Sequence, residues 1–154
     1  MNILASLFCT LGKALGECGE EGEILKPTST REISLAEKQS FLMVKFPGVP
    51  LFLTYQHLMA SYDDIACFLA QDQTNKFGYI FPDFICSTYA MRLAGQFNVP
   101  DWSAITFGLV WTDKHALNCV LTEDMKFYFV EPQLDELQDK LEDWQGTTLR
   151  FIMI

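Results

Sequence analysis

Two short strings hold residue types that could do chemistry: His115-Ala116-Leu117-Asn118 and Glu131-Pro132-Gln133. An imidazole beside a carboxylate is the orienting half of a nucleophilic triad. The carboxylate fixes the ring tautomer and stabilises the protonated ring. His115 is one of two histidines in the chain. Between the strings run an apolar stretch, a polar Thr122-Glu123-Asp124 and a second apolar stretch, the pattern of a β-hairpin. A hairpin centred near Glu123 sets His115 directly opposite Glu131, on one face, with β-carbons about 5 Å apart. The missing member is a nucleophile, and Cys86 is the candidate. The expected catalytic set is Cys86, His115 and Glu131.

A thiol becomes a good nucleophile as thiolate, and a helix N-terminus or a neighbouring imidazolium favours that form. Pro82-Asp83 is a helix-start signal, and Ala90, Leu93, Ala94 and Phe97 follow at the spacing of a buried helical face. Cys86 falls in the first turn of that helix. Asn118 lies three residues past His115, on the opposite face of a strand, so Glu131 is the better orienting group. Each residue also has a plainer reading. A cysteine on an apolar helix is usually a small buried hydrophobe, and a lone strand histidine is usually structural. Cys119 reads as core, and His57 as structural or exposed, with no constellation around it.

The elements that must position these residues follow from periodicity. Residues 2–17 carry Ile3, Leu4, Leu7, Phe8, Leu11, Ala14 and Leu15 at helical spacing. A polar loop or linker follows to Ile33. Ser34 and Glu37 form a capping box for a short helix. Apolar segments cover 41–46 and 51–58, and Ser61 starts a helix through Ala70 with acids at its positive end. Residues 71–78 read as a surface loop. Ile105 to Trp111 is a strand, 134–144 an acidic helix with Leu134, Leu137 and Leu141 on one stripe, and 148–154 a final strand. Helices first, then an antiparallel sheet, is an α+β layout.

Composition narrows the partners. The 154 residues are 49% hydrophobic, with 13 Phe, which suits one well-packed domain. The net charge of −9, with Lys and Arg scattered singly, argues against nucleic acid. Five cysteines without a CxxC argue against a disulfide scaffold or structural zinc and for reduced thiols. No run reaches the ~20 apolar residues of a membrane span, and the N-terminus lacks the basic region of a signal peptide. A cytoplasmic setting is expected.

Tyr79-Ile80-Phe81-Pro82-Asp83-Phe84-Ile85-Cys86, then His115-Ala116-Leu117-Asn118, then Phe129-Val130-Glu131-Pro132-Gln133, resemble papain-like and transglutaminase-like cysteine enzymes. The resemblance is closer to the papain-like C-terminal domain of chimeric mushroom agglutinins and related small phage and bacterial proteins, over about residues 60–140. It implies a papain-like α+β fold, with a Cys-bearing helix packed on a small antiparallel sheet bearing His and Glu. It also implies one domain over 1–154, with a helical and loop region to residue 60 and a catalytic-type core from 61. Cys86 would be nucleophile, His115 general base and acid, and Glu131 the orienting carboxylate of a cysteine peptidase, amidase or acyltransferase working through a thioester. The alternative is a catalytically idle binding or assembly module, such as a phage accessory protein. The sequence requires no cofactor; the resemblance implies activation by a divalent cation, calcium, with no ligand set mapped. Relatives carry an acid and Phe soon after the cysteine, where this chain has Ser87-Thr88-Tyr89. The Cys86 backbone N–H is one candidate oxyanion donor, and Gln71, Gln73 and Asn75 are unranked candidates for a second. The expected partner is a peptide or protein substrate, with no nucleic acid and no membrane, and with a homodimer among the assemblies considered.

Overall fold

The computed structural model describes residues 26–154. The expected N-terminal helix over 2–17 lies outside the described residues. Eight strands and three α-helices follow: β1 (Thr30–Glu32), α1 (Leu35–Lys45), β2 (Leu51–Phe52), β3 (Leu58–Ala60), α2 (Tyr62–Gln71), α3 (Cys86–Gln96), β4 (Phe107–Thr112), β5 (Ala116–Leu121), β6 (Phe127–Glu131), β7 (Glu136–Gln138) and β8 (Leu149–Met153). Two 3-10 turns, Thr74–Lys76 and Asp143–Gln145, complete the order.

The main sheet has six strands in the order β2-β8-β4-β5-β6-β7. All its pairs are antiparallel except β2 with β8. β1 and β3 form a separate antiparallel pair. The expected papain-like α+β fold, a Cys-bearing helix on a small antiparallel sheet, is therefore corrected. The molecule is organised by a wide mixed sheet with three short helices laid on it. The physical reason is the alternation of the strands, which buries both sheet faces and recruits β2 from the first half of the chain.

That alternation divides the core. On one face Leu117, Cys119, Leu121, Phe127, Phe129 and Ile152 pack with Leu42 of α1 and with Ile33 and Met59. On the other, Val120, Val130 and Phe107 pack with Ile65, Phe68 and Leu69 of α2 and with Leu93 of α3. Residues 26–60 thus contribute to the same core as the later strands. Gly108 permits the closest approach, because a Cβ there would meet the Met153 carbonyl oxygen at 1.8 Å.

Local signals explain the helices. Ser34 caps α1 and Glu37 returns the bond to the cap N–H at 2.9 Å. Ser61 caps α2 through the Asp64 N–H. α3 begins at Cys86, after a cis Phe81–Pro82 peptide. The acidic helix expected over 134–144 does not form. Asp135 takes a left-handed conformation (φ 54), residues 136–138 pair with β6, and residues 143–145 form a 3-10 turn. The stripe of leucines survives as a strand residue, Leu137, packed on the α2/α3 face.

Candidate active site

Glu131 ends β6 and is fully buried, and His115 stands one residue before β5 at 8% exposure. Asn118 pairs with Val130 and Leu121 with Phe127, so the hairpin is centred on Asp124, not Glu123. Leu117 therefore stands opposite Glu131, and His115 is its diagonal neighbour. A shift of two residues keeps every side chain on its face, since the strand period is two. Long side chains bridge that diagonal: His115 Nε2 lies 2.8 Å from a Glu131 carboxylate oxygen. Glu131 is the last residue of its strand, and its carboxylate is further held by Gln145 Nε2 at 2.9 Å and the Gln133 N–H at 3.3 Å. With Nε2 engaged, Nδ1 is the ring nitrogen left to exchange a proton. The indole of Trp144, half exposed, lies with its ring centroid 5.0 Å from that of His115.

Cys86 is the first residue of α3 and is partly buried. It packs against a small cluster of Ala90, Leu109 and Ala116, the last being the residue after His115. α3 is pinned to the sheet by Asn118, whose Nδ2 donates to the Ala90 carbonyl at 2.9 Å and the Gly108 carbonyl at 3.0 Å. Asn118 thus serves the helix side of the sheet and takes no part in orienting His115. Among the described residues no hydrogen bond joins the Cys86 thiol to the His115 ring. The two are brought to the same end of the sheet by the packing of α3 on β5.

The remaining sequence candidates fall elsewhere. Asn75 donates its amide to Asp135 in the turn after β6, and Gln73 donates to the Gln71 carbonyl at 3.0 Å within its own loop. His57 Nδ1 lies 3.3 Å from the Tyr55 carbonyl oxygen, away from any catalytic grouping. Cys119 is fully buried, and burial pushes its thiol far above the usual thiol range. Among the described residues no group of three or more His, Cys, Asp or Glu could hold a metal ion. Gln145, Thr112 and Trp144 were not singled out by sequence reasoning. The signal available for Gln145 was its spacing from Glu142, which forms a reciprocal capping pair around a 3-10 turn ended by Gly146.

No family model matches this sequence, and no curated protein is significantly similar to it. Solved structures are similar in fold. One is titled "PSL1a-E64 complex", 15% identical with a TM-score of 0.62, the match covering 81% of this chain and 50% of that one. Another is Polyporus squamosus lectin bound to the human-type influenza-binding epitope Neu5Aca2-6Galb1-4GlcNAc, 16% identical with a TM-score of 0.62, covering 81% and 49%. The present chain therefore spans about half the length of these neighbours. They correct the assignment drawn from the short motifs. The resemblance to papain-like and transglutaminase-like peptidases gives way to a likeness in fold to a lectin, and the expected hydrolase, thiol-protease and phage-protein character falls with it. Strings as short as HALN and EPQ recur on many scaffolds and do not specify one.

Proposed function

We propose that Cys86, His115 and Glu131 form a reactive-thiol centre at one end of the sheet. No peptide-bond chemistry is assigned to it. The observation that carries the reading is the buried 2.8 Å His115–Glu131 pair at the sheet end where α3 starts with a partly accessible cysteine. Glu131 holds the ring through Nε2, which leaves Nδ1 to take the thiol proton. The helix start and the resulting imidazolium both stabilise the thiolate. Catalytic hydrogen bonds are often long before a ligand enters, so a thiol and ring that are not yet bonded suit a centre that tightens on binding. Among the described residues Cys86 and Cys119 are free thiols, which supports a reducing, cytoplasmic setting. No helix among the described residues is long and apolar enough to cross a membrane.

The test is competitive alkylation of the whole protein with limiting iodoacetamide, read peptide by peptide by mass spectrometry. Cys86 is expected to label at least tenfold faster than Cys67 near neutral pH, and His115→Ala is expected to erase that advantage. Equal labelling of Cys86 and Cys67 in the wild type would overturn the reading.

A second reading draws on the lectin neighbours. A groove of about 1010 Å³ between α1 and the β6/β7 edge is lined by Phe41, Val44, Met125, Phe127 and Tyr128, with Ser40, Lys45 and Asp139 among its polar groups. An apolar and aromatic floor with a few polar groups suits the apolar face of a sugar ring held by hydrogen bonds at its rim. Calorimetry with Neu5Aca2-6Galb1-4GlcNAc is expected to show binding that Tyr128→Ala weakens. Absence of heat at millimolar glycan would remove this reading and leave the thiol centre untouched.

A further inference from the structure

We propose that the turn 142–146 positions the His115–Glu131 pair, with Gln145 holding the Glu131 carboxylate in place. The inference rests on the reading of Cys86 as a reactive thiol.

Gln145 is fully buried, and both ends of its amide are committed. Its Oε1 accepts from the Glu142 N–H at 2.9 Å, and its Nε2 donates to Glu131 Oε2 at 2.9 Å. The first bond decides the second. An amide that gives its oxygen to a backbone N–H must turn its NH₂ toward the carboxylate. Glu131 is itself fully buried, and a carboxyl group taken out of water needs protein donors in place of the water it loses. His115 and Gln145 donate to the same oxygen, Oε2, so the amide fixes where the imidazole must reach.

The turn is fastened to His115 as well. The Thr112 hydroxyl accepts from the His115 N–H at 2.8 Å and gives its one proton to the Gln145 carbonyl. Trp144 lies against the His115 ring, its indole N–H held by Glu142 at 2.6 Å. Gly146 lets the turn close at φ 88, where a Cβ would lie 2.5 Å from Asp113 Oδ1 and 2.8 Å from Thr112 Oγ1. Three successive residues therefore each fix one part of the pair. Trp144 backs the ring, Gln145 the carboxylate, and Gly146 the approach of the turn to the His115 loop.

The test measures the alkylation rate of Cys86 against pH in the full chain. The proteins compared are wild type, Gln145→Met and His115→Ala, with Cys67 as internal reference. Methionine keeps the length of the side chain and removes the donor. Gln145→Met is expected to slow Cys86 at least tenfold near neutral pH and to move its midpoint to higher pH, with Cys67 unchanged. If Gln145→Met fails to fold, Thr112→Val, which cuts the hydroxyl tie between the turn and His115, is expected to move the midpoint the same way. A folded variant with the wild-type rate and midpoint overturns the positioning role. Cys86 in the wild type behaving as in His115→Ala would instead overturn the thiol centre on which the proposal stands.

Discussion

Glu131 is the most constrained residue of the site. Buried without exposure, it accepts from an imidazole, an amide and a backbone N–H, which together compensate the cost of burying its charge. Glu131→Gln removes that charge, and the protein is expected to lose most of the Cys86 labelling advantage while retaining its fold, as read by alkylation and circular dichroism. A second buried charge behaves differently. Lys38 is 1% exposed and donates to the Thr54 and Gln56 carbonyls, each at 2.9 Å. Burial lowers its ammonium to about 8. The unfolded chain then holds the proton more tightly than the folded one between about pH 8 and the usual lysine value, so stability rises with pH across that window. A neutral amine keeps two N–H groups, enough for both carbonyls. Denaturant unfolding from pH 8 to 10 is expected to show this rise in the wild type and to lose it in Lys38→Met. At this scale the sequence was informative about His115 and Glu131 because an error of two in register preserves the face. It was silent on Gln145, whose partner lies fourteen positions away and is chosen by the fold.

The elements that position the site are held by short-range chemistry that can be altered singly. Ser34 and Glu37 satisfy each other's backbone donors at the start of α1, and Ser34→Ala is expected to cost about 1 kcal/mol, seen as a fall of a few degrees in Tm. The loop before α3 is tied to the turn after β6 by Asn75 and Asp135. Burial first, and the facing Asp72 charge second, raise the Asp135 carboxyl to about 7, with Lys76 opposing. The folded state therefore holds a proton that the unfolded chain has released. Its contribution is full below the ordinary aspartate value and is lost as pH rises through about 7. Asp135→Asn is expected to flatten the fall in stability between pH 4 and 7 in a urea titration series. The capping box of α1 was legible because it depends on two residues three apart, Ser34 and Glu37. The 134–144 segment was misread because its leucines sit at helical spacing, while pairing with β6 and the left-handed Asp135 decide its conformation. Tertiary pairing overrode local pattern.

Across the whole molecule, one sheet buried on both faces joins α1 on one side to α2 and α3 on the other. Leu42, fully buried, is the anchor of α1, and Leu42→Ala is expected to cost about 2–5 kcal/mol by chemical denaturation. The strands between Ile105 and Glu131, and the last strand, could be read from their branched and aromatic residues. The mixed order could not, because the parallel pairing of β2 with β8 joins segments that are far apart in sequence and only two residues long in β2. Short motifs could suggest chemistry but not scaffold, and the likeness in fold to a lectin emerged only once the sheet was assembled.

The most direct measurement is competitive alkylation of Cys86 against Cys67 in the whole protein near neutral pH, made in the wild type and in His115→Ala. Cys86 is expected to label at least tenfold faster in the wild type and to lose that advantage when the imidazole is removed. A Cys86 that labels at the same rate in both proteins would contradict the reactive-thiol centre.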